Sequence, residues 1–190
     1  MAKDYPGAFT ALRQILARHG EGMVVMADTP TVYTLVTEAL GPNRKALWFG
    51  CVTSKKSAVT YHLVPLYYNP KLLATVTPEL EARRAGKTCF HFQRPEPELF
   101  EQLDVLTGLG REQWLEAGFL EPGPVPAERF AAALRAAGVD PAAVAARRRE
   151  VLDRAASRRT ATARGAQRIV SPRKKRRAVT AGRSSHSSRT

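Results

Sequence analysis

Cysteines and long apolar runs are scarce in this chain, and their scarcity excludes several classes of protein. Only two cysteines occur, Cys51 and Cys89, and they form neither a disulfide framework nor a CxxC pair. No segment approaches the roughly 20 apolar residues that cross a bilayer, and the opening MAKDYPGAF has no apolar run of signal-peptide length. We therefore expect a cytoplasmic protein with reduced thiols and no membrane partner.

Motifs for catalysis and for metal binding are also missing. The four histidines are His19, His62, His91 and His186; none has HExxH spacing and none lies beside a CxxC pair. No glycine-rich phosphate loop occurs. We therefore predict no catalytic residue, no metal site and no cofactor, and we favour a binding protein over an enzyme.

Excess positive charge is confined to one part of the chain. The whole chain has a net charge of +13, yet residues 1–122 hold 13 Lys or Arg and 13 Asp or Glu. Residues 123–190 hold 17 basic and 4 acidic residues, so the entire excess lies there. Only this C-terminal third has the electrostatic character that attracts polyanions.

The periodicity of apolar residues predicts an α+β fold. An amphipathic helix over about residues 5–19 precedes two β-rich runs around the turn signal DTPT. These runs, at residues 23–27 and 32–36, predict a hairpin, although a helix over the second run is equally compatible with the pattern. More strands and helices follow, so we expect a compact sandwich in which an antiparallel sheet carries packed helices.

The stretch ALWFGCVTSKKSAVTYHLVPL predicts the clearest hairpin, because runs rich in β-branched and aromatic residues flank the polar turn SKKS. With Ser54–Ser57 as the loop, Phe49 lies opposite His62 and Cys51 lies opposite Thr60. A slip of one residue would exchange the two faces, so the register is the assumption on which the faces depend.

Both faces of this hairpin are largely apolar, which indicates a sheet covered on both sides or a sheet that lines a pocket on one side. In the predicted register, one face carries Trp48 and Tyr61 and the opposite face carries His62. We therefore take Trp48 and Tyr61, or alternatively His62, as the candidate ligand-binding residues.

Two cysteine–histidine pairs are candidates for a thiol nucleophile and its base. Cys89 and His91 share one face of the strand KTCFHF, and Cys51 and His62 share one face of the hairpin diagonally. A base must lie about 2.6–3.2 Å from the thiol, whereas diagonal strand residues lie about 7–8 Å apart. We therefore interpret both cysteines as small buried apolar residues.

The segment after the hairpin contains clear signals for the start of a helix. Thr77 is suited to cap a short helix that has Pro78 in its first turn. In the following strand, Phe90 and Phe92 share the face opposite the cysteine and the histidine. EPELFEQLDVLTGLG then predicts an amphipathic helix, and a separate short helix is predicted near Arg111–Ala117.

The segment EPGPVP predicts a domain boundary after residue 122. Residues 123–160 are predicted to form an Ala/Arg-rich helical extension, in which a new helix starts at Asp140. Residues 161–190 are predicted to form a disordered basic tail. The tail contains five consecutive basic residues: Arg173, Lys174, Lys175, Arg176 and Arg177. No aromatic residue lies among them, so the run is compatible either with nonspecific, salt-sensitive contact with nucleic acid or with a passive solvated tail.

The run WFGCVTSKKSAVTYHLVPLYYNPKLL, followed by TPELEARRAGKTCFHF, resembles the YdhG-like domain over residues 48–92, and more loosely over residues 5–118. This is a bacterial family of unknown function whose members are at times described as frataxin-like iron chaperones. The resemblance implies a compact α+β sandwich. An iron function would imply an acidic ridge along the first helix and strand, but the first helix has only Asp4 near its start and carries Arg13 and Arg18.

Three functions follow as hypotheses. The leading one is a small cytosolic domain that binds an unidentified small ligand or protein. A frataxin-like protein that handles metal, here iron, is the first alternative. Nonspecific association with nucleic acid through the basic tail is the second.

Overall fold

A computed structural model describes residues 2–146, together with residues 149, 150 and 153. The chain divides into two compact units, Met1–Val144 and Ala145–Thr190, and the elements named here belong to the first. The tail predicted at residues 161–190, including its five consecutive basic residues, lies outside the described residues.

The first unit alternates strands and helices. Its helices are α1 (Tyr5–Arg18), α2 (Pro65–Tyr68), α3 (Pro78–Glu81), α4 (Pro97–Glu116) and α5 (Ala127–Ala136), with a 3₁₀ helix at Pro70–Thr75. Its strands are β1 (Met23–Thr29), β2 (Val32–Leu40), β3 (Ala46–Ser54), β4 (Val59–Leu63), β5 (Arg84–Ala85), β6 (Cys89–Phe92) and β7 (Gly123–Pro124). None of the described helices is long and apolar enough to cross a bilayer.

The described strands form one sheet in the order β1-β2-β3-β4-β6-β5. Every pairing along this order is antiparallel. The short strand β7 adds to the end of β2 in parallel orientation, where Ala39 and Leu40 extend past the last residue paired with β1. Antiparallel neighbours need only short turns, which matches the close succession of strands along the chain.

Helices α1 and α4 pack on one face of the sheet, which we call the inner face; we call the opposite face the outer face. Phe49 of β3 contacts Trp114 of α4, with ring centroids 5.6 Å apart. Phe92 of β6 contacts Phe100 at 4.9 Å. These edge-to-face contacts join the sheet to α4 across a continuous apolar core. The predicted fold class, an antiparallel sheet with helices packed on it, is confirmed.

Helix α1 begins where the sequence predicts. The carboxylate of Asp4 accepts a hydrogen bond from the Gly7 amide at 2.9 Å, and Pro6 occupies the first turn. The buried side chains recur at spacings of three and four: Ala8, Phe9, Leu12, Ile15 and Leu16. This stripe forms the contact between α1 and the inner face.

The two runs around DTPT form the hairpin of β1 and β2, so the hairpin interpretation is confirmed and the helical alternative is wrong. Val32 pairs with Thr29 across the turn, and the ladder continues to Met23 and Thr37. Val36 and its neighbours fit a pleated strand because β-branched side chains pack well across a sheet.

Helix α4 runs without interruption to Glu116, so the separate short helix predicted near Arg111 is wrong. Helix α4 contains Gly108 and Gly110, although glycine disfavours helix by about 1 kcal/mol relative to alanine. Packing explains their presence. A Cβ atom on Gly110 would lie 2.9 Å from Cβ of Pro65, and one on Gly108 would lie 3.3 Å from Cε1 of His19. The glycines therefore let α2 and the end of α1 approach the helix closely.

The compact unit continues past the boundary predicted after residue 122. The amide of Val125 donates to the carbonyl of Leu40 at 2.9 Å, which extends the pairing of β7 with β2. Phe130 of α5 is buried and stacks on Phe119, with ring centroids 4.8 Å apart. A further helix starts after Asp140, as expected. The carboxylate of Asp140 accepts a hydrogen bond from the Ala142 amide. The predicted boundary therefore lies inside this unit.

Candidate functional site

A β-bulge in β3 decides which side chains reach the outer face. Leu35 pairs with Gly50, but its neighbour Val36 pairs with Trp48, so Phe49 is the extra residue. A bulge re-aims the side chains that precede it. Phe49 is therefore turned to the inner face and Trp48 to the outer face, where 45% of Trp48 is exposed. The prediction that Trp48 shares a face with Tyr61 is wrong for this reason.

The register of β3 and β4 differs from the predicted one by two residues. Cys51 pairs with His62 and Ser54 pairs with Val59, because the loop occupies residues 55–58. The predicted pairings of Phe49 with His62 and of Cys51 with Thr60 are therefore wrong. A shift of two preserves the alternation of side chains, so Cys51 and His62 still share one face.

Tyr61, a predicted ligand-binding residue, lies in the core. Its ring is 0% exposed on the inner face, and its hydroxyl lies 2.7 Å from Oγ1 of Thr107 in α4. Burial raises the pKa of this phenol well above its usual range, so it stays protonated at any physiological pH. The hydroxyl joins sheet to helix and has no access to a ligand from the outer face.

Trp48 and His62, the other two predicted residues, share the outer face. Because Phe49 is looped out of the pairing, Trp48 takes the position diagonal to His62, and diagonal residues of paired strands typically lie about 7–8 Å apart. Val24 and Val36 continue the row of Trp48 across the sheet. Val24 is 44% exposed, and Trp48 is also exposed, so the solvent-facing part of this row consists of apolar side chains.

A second cross-strand row contains both cysteines. Cys51 pairs with His62, and His62 pairs with Cys89 on the next strand. The cysteines are thus separated by two strand spacings, about 10 Å, which is beyond the separation of about 7 Å that a disulfide can bridge. Both are free thiols. The alternation that places Cys89 and His91 opposite Phe90 and Phe92 is as predicted.

The thiol of Cys51 is directed towards β2 and away from the histidine. Its Sγ accepts from Oγ1 of Thr34 at 3.2 Å and lies 3.4 Å from Oγ1 of Thr53. Within the described part of the chain, we find no group of three or more His, Cys, Asp or Glu side chains with a geometry suited to a metal ion.

His62 makes no hydrogen bond to any residue in the described ranges. Partial burial lowers the pKa of its imidazole below the usual 6.5, because the charged form loses hydration. The ring is therefore neutral at pH 7, with one nitrogen able to donate and the other able to accept.

An arginine-rich cavity of about 600 Å³ lies at the other end of the sheet, beside the turn between β3 and β4. It is lined by Arg83, Arg84 and Arg94, by His91 and Gln93, and by Ser57, Ala58, Ala82, Ala85 and Glu96. We call it the arginine cavity. His91 belongs both to this cavity and to the outer face.

Sequence reasoning missed the arginine cavity. Its cations come from two segments that flank β6, namely Arg83-Arg84 before the strand and Arg94 after it. An antiparallel turn back onto β6 brings both segments to the same edge, and basic residues on either side of a short predicted strand were the available signal.

Comparison of the chain with models of known protein families, with curated proteins and with solved structures gave no match.

Proposed function

We propose that this chain is a cytoplasmic binding domain that holds a small, uncharged aromatic ligand on the outer face, between Trp48 and His62. One observation carries the proposal: an exposed tryptophan lies diagonal to a histidine that has no hydrogen-bond partner among the described residues. The indole offers a flat surface for stacking. The neutral imidazole offers one donor and one acceptor to orient the ligand.

The surroundings of this pair favour a ligand without charge. The side chains in the two cross-strand rows are apolar or weakly polar: Val24, Ala27, Thr34, Val36, Cys51 and Cys89. Binding sites of this kind combine apolar surface with a few polar groups that fix orientation. A charged ligand would lose hydration here without gaining an ion pair. The two free thiols support the cytoplasmic assignment.

Nuclear magnetic resonance of the ¹⁵N-labelled full chain tests the proposal, with indole and other neutral aromatic fragments as probes. Shifted amides are expected to cluster in β3 and β4, and Trp48→Ala should weaken binding at least fivefold. Leu115→Ala is the matched control, because Leu115 is an exposed apolar residue on α4. Shifts that scatter over the surface, or binding that Trp48→Ala leaves unchanged, would contradict the proposal.

Nonspecific association with nucleic acid is the second candidate function, and the charge distribution favours it. Residues 1–122 are electrically balanced, and residues 161–190 hold nine basic and no acidic residues. If about five of these charges meet phosphates at once, the logarithm of the affinity should fall with the logarithm of salt at a slope of roughly −4 to −5.

Filter binding to duplex DNA of different sequences tests this second function. Sequence should not matter, because the tail offers no aromatic side chain for stacking and phosphate contacts carry no sequence information. Deleting residues 161–190 should abolish binding. A tailless chain that retains a comparable salt slope would show that another surface binds the DNA.

A further inference from the structure

The arginine cavity differs from the outer face in its chemistry. Three guanidinium groups line it, and the lysines Lys55 and Lys56 lie in the adjoining turn. Glu96 is the one acidic residue in the lining, so positive charge predominates in this cavity although residues 1–122 are electrically balanced as a whole. Its volume of about 600 Å³ falls within the range of about 300–1,000 Å³ that is typical of small-molecule sites.

Two of the arginines already have acidic partners. Arg83 donates from Nε and Nη2 to Glu96, at 3.1 and 2.6 Å. Arg84 donates to both carboxylate oxygens of Glu81 and to the carbonyl of Gly86. The hydrogen bond from Arg84 is the main reason that the pKa of Glu81 lies below its usual range. These pairs fix the walls of the cavity.

Arg94 has no such partner. It lines the cavity, it is only partly exposed, and it makes no hydrogen bond or ion pair with any residue in the described ranges. Arg83 keeps Nη1 free, because its two contacts with Glu96 use Nε and Nη2. His91 and Gln93 add further donors along the same wall.

We propose that the arginine cavity binds the phosphate group of a small phosphomonoester, with Arg94 as its principal ligand and Arg83 as its second. A guanidinium presents parallel N–H donors that match two oxygens of a phosphate. A phosphomonoester carries up to two negative charges at neutral pH, which suits a lining that holds three arginines and one carboxylate, that of Glu96. The remaining volume accommodates the organic part of the molecule. This site is separate from the outer-face site and does not depend on it.

Isothermal titration of the full chain with phenyl phosphate tests the proposal. We expect one saturable site, and Arg94→Gln should weaken it at least tenfold. Lys45→Gln is the control, because it removes an exposed cation at the turn between β2 and β3 that makes no side-chain ion pair within the described residues. It should leave the affinity unchanged. The melting temperature of Arg94→Gln should match that of the natural chain, since Arg94 supports no described contact.

Benzoate serves as the second probe, because it carries one carboxylate on the same ring. Binding of benzoate at least tenfold weaker than that of phenyl phosphate supports the phosphate assignment. Equal binding would overturn it, since the site would then select any aromatic anion. The absence of saturable binding, or an affinity that Arg94→Gln leaves unchanged, would overturn the site itself.

Discussion

Replacing Tyr61 with phenylalanine removes the hydroxyl group that joins β4 to α4. Thr107 donates its own proton to the carbonyl of Leu103 at 2.6 Å, so Tyr61 must be the donor in the 2.7 Å contact with Thr107. In Tyr61→Phe, the threonine keeps its donor bond and loses only an acceptor interaction. We therefore expect the free energy of unfolding to fall by about 1 kcal/mol, the net value of a buried neutral hydrogen bond.

Thr107→Val should cost more, although it removes the same hydrogen bond. The tyrosine hydroxyl then stays fully buried with no acceptor, and an unsatisfied buried donor costs about 1–3 kcal/mol. The double variant should be no less stable than Thr107→Val alone, because phenylalanine leaves no orphaned donor. The two changes should therefore be coupled by about 1 kcal/mol.

Urea denaturation followed by circular dichroism measures the three free energies, provided that the slopes remain equal among the variants. Single changes below about 0.3 kcal/mol that add without coupling would refute the reasoning. The hydroxyl would then not hold the helix to the sheet. Binding of indole to Tyr61→Phe at the affinity of the natural chain would support its purely structural role.

Three further predictions follow from packing and titration. Phe90→Ala should lower the free energy of unfolding by about 3–5 kcal/mol, because Phe90 is fully buried; a loss below about 1 kcal/mol in urea denaturation would place its side chain elsewhere. Residues 1–122 should fold alone, but a chain ending at residue 144 should melt at a higher temperature, since the shorter chain lacks the stacking of Phe130 on Phe119; equal calorimetric midpoints would contradict this. The free energy of unfolding should fall as the pH drops below about 6.5, because the unfolded chain protonates His62 more readily than the folded chain does. His62→Gln should reduce that fall. A pH profile that this substitution leaves unchanged would exclude His62 as the source of the fall.

Local patterns were sufficient for much of the architecture. Alternation in Cys89–Phe92 correctly assigned two residues to each face, because successive side chains of a strand point in opposite directions. The Thr77 cap was also correct, since its Oγ1 accepts from the Leu80 amide. Such features depend on residues a few positions apart, which a sequence displays directly.

The candidate sites depended on distant contacts. The residues around Phe49 carry no sequence signal for a bulge. The ring of Phe49 reaches Trp114 only because β3 has an extra residue at this position, and the same extra residue places Trp48 on the outer face. The arginine cavity likewise needs β5 to return onto β6 before Arg83 and Arg94 line one wall. Neither arrangement leaves a periodic signal in the chain.

The sequence by itself therefore determined the fold class, the start of α1, the alternation within Cys89–Phe92, and the concentration of positive charge in the C-terminal third. Only the tertiary structure decided the register of β3 with β4, the continuity of α4 through its glycines, and the membership of the two sites. The physical reason is that periodicity and capping are set by neighbours along the chain. Register, bulges and cavities are set by which side chains fill the space between elements that lie far apart in sequence.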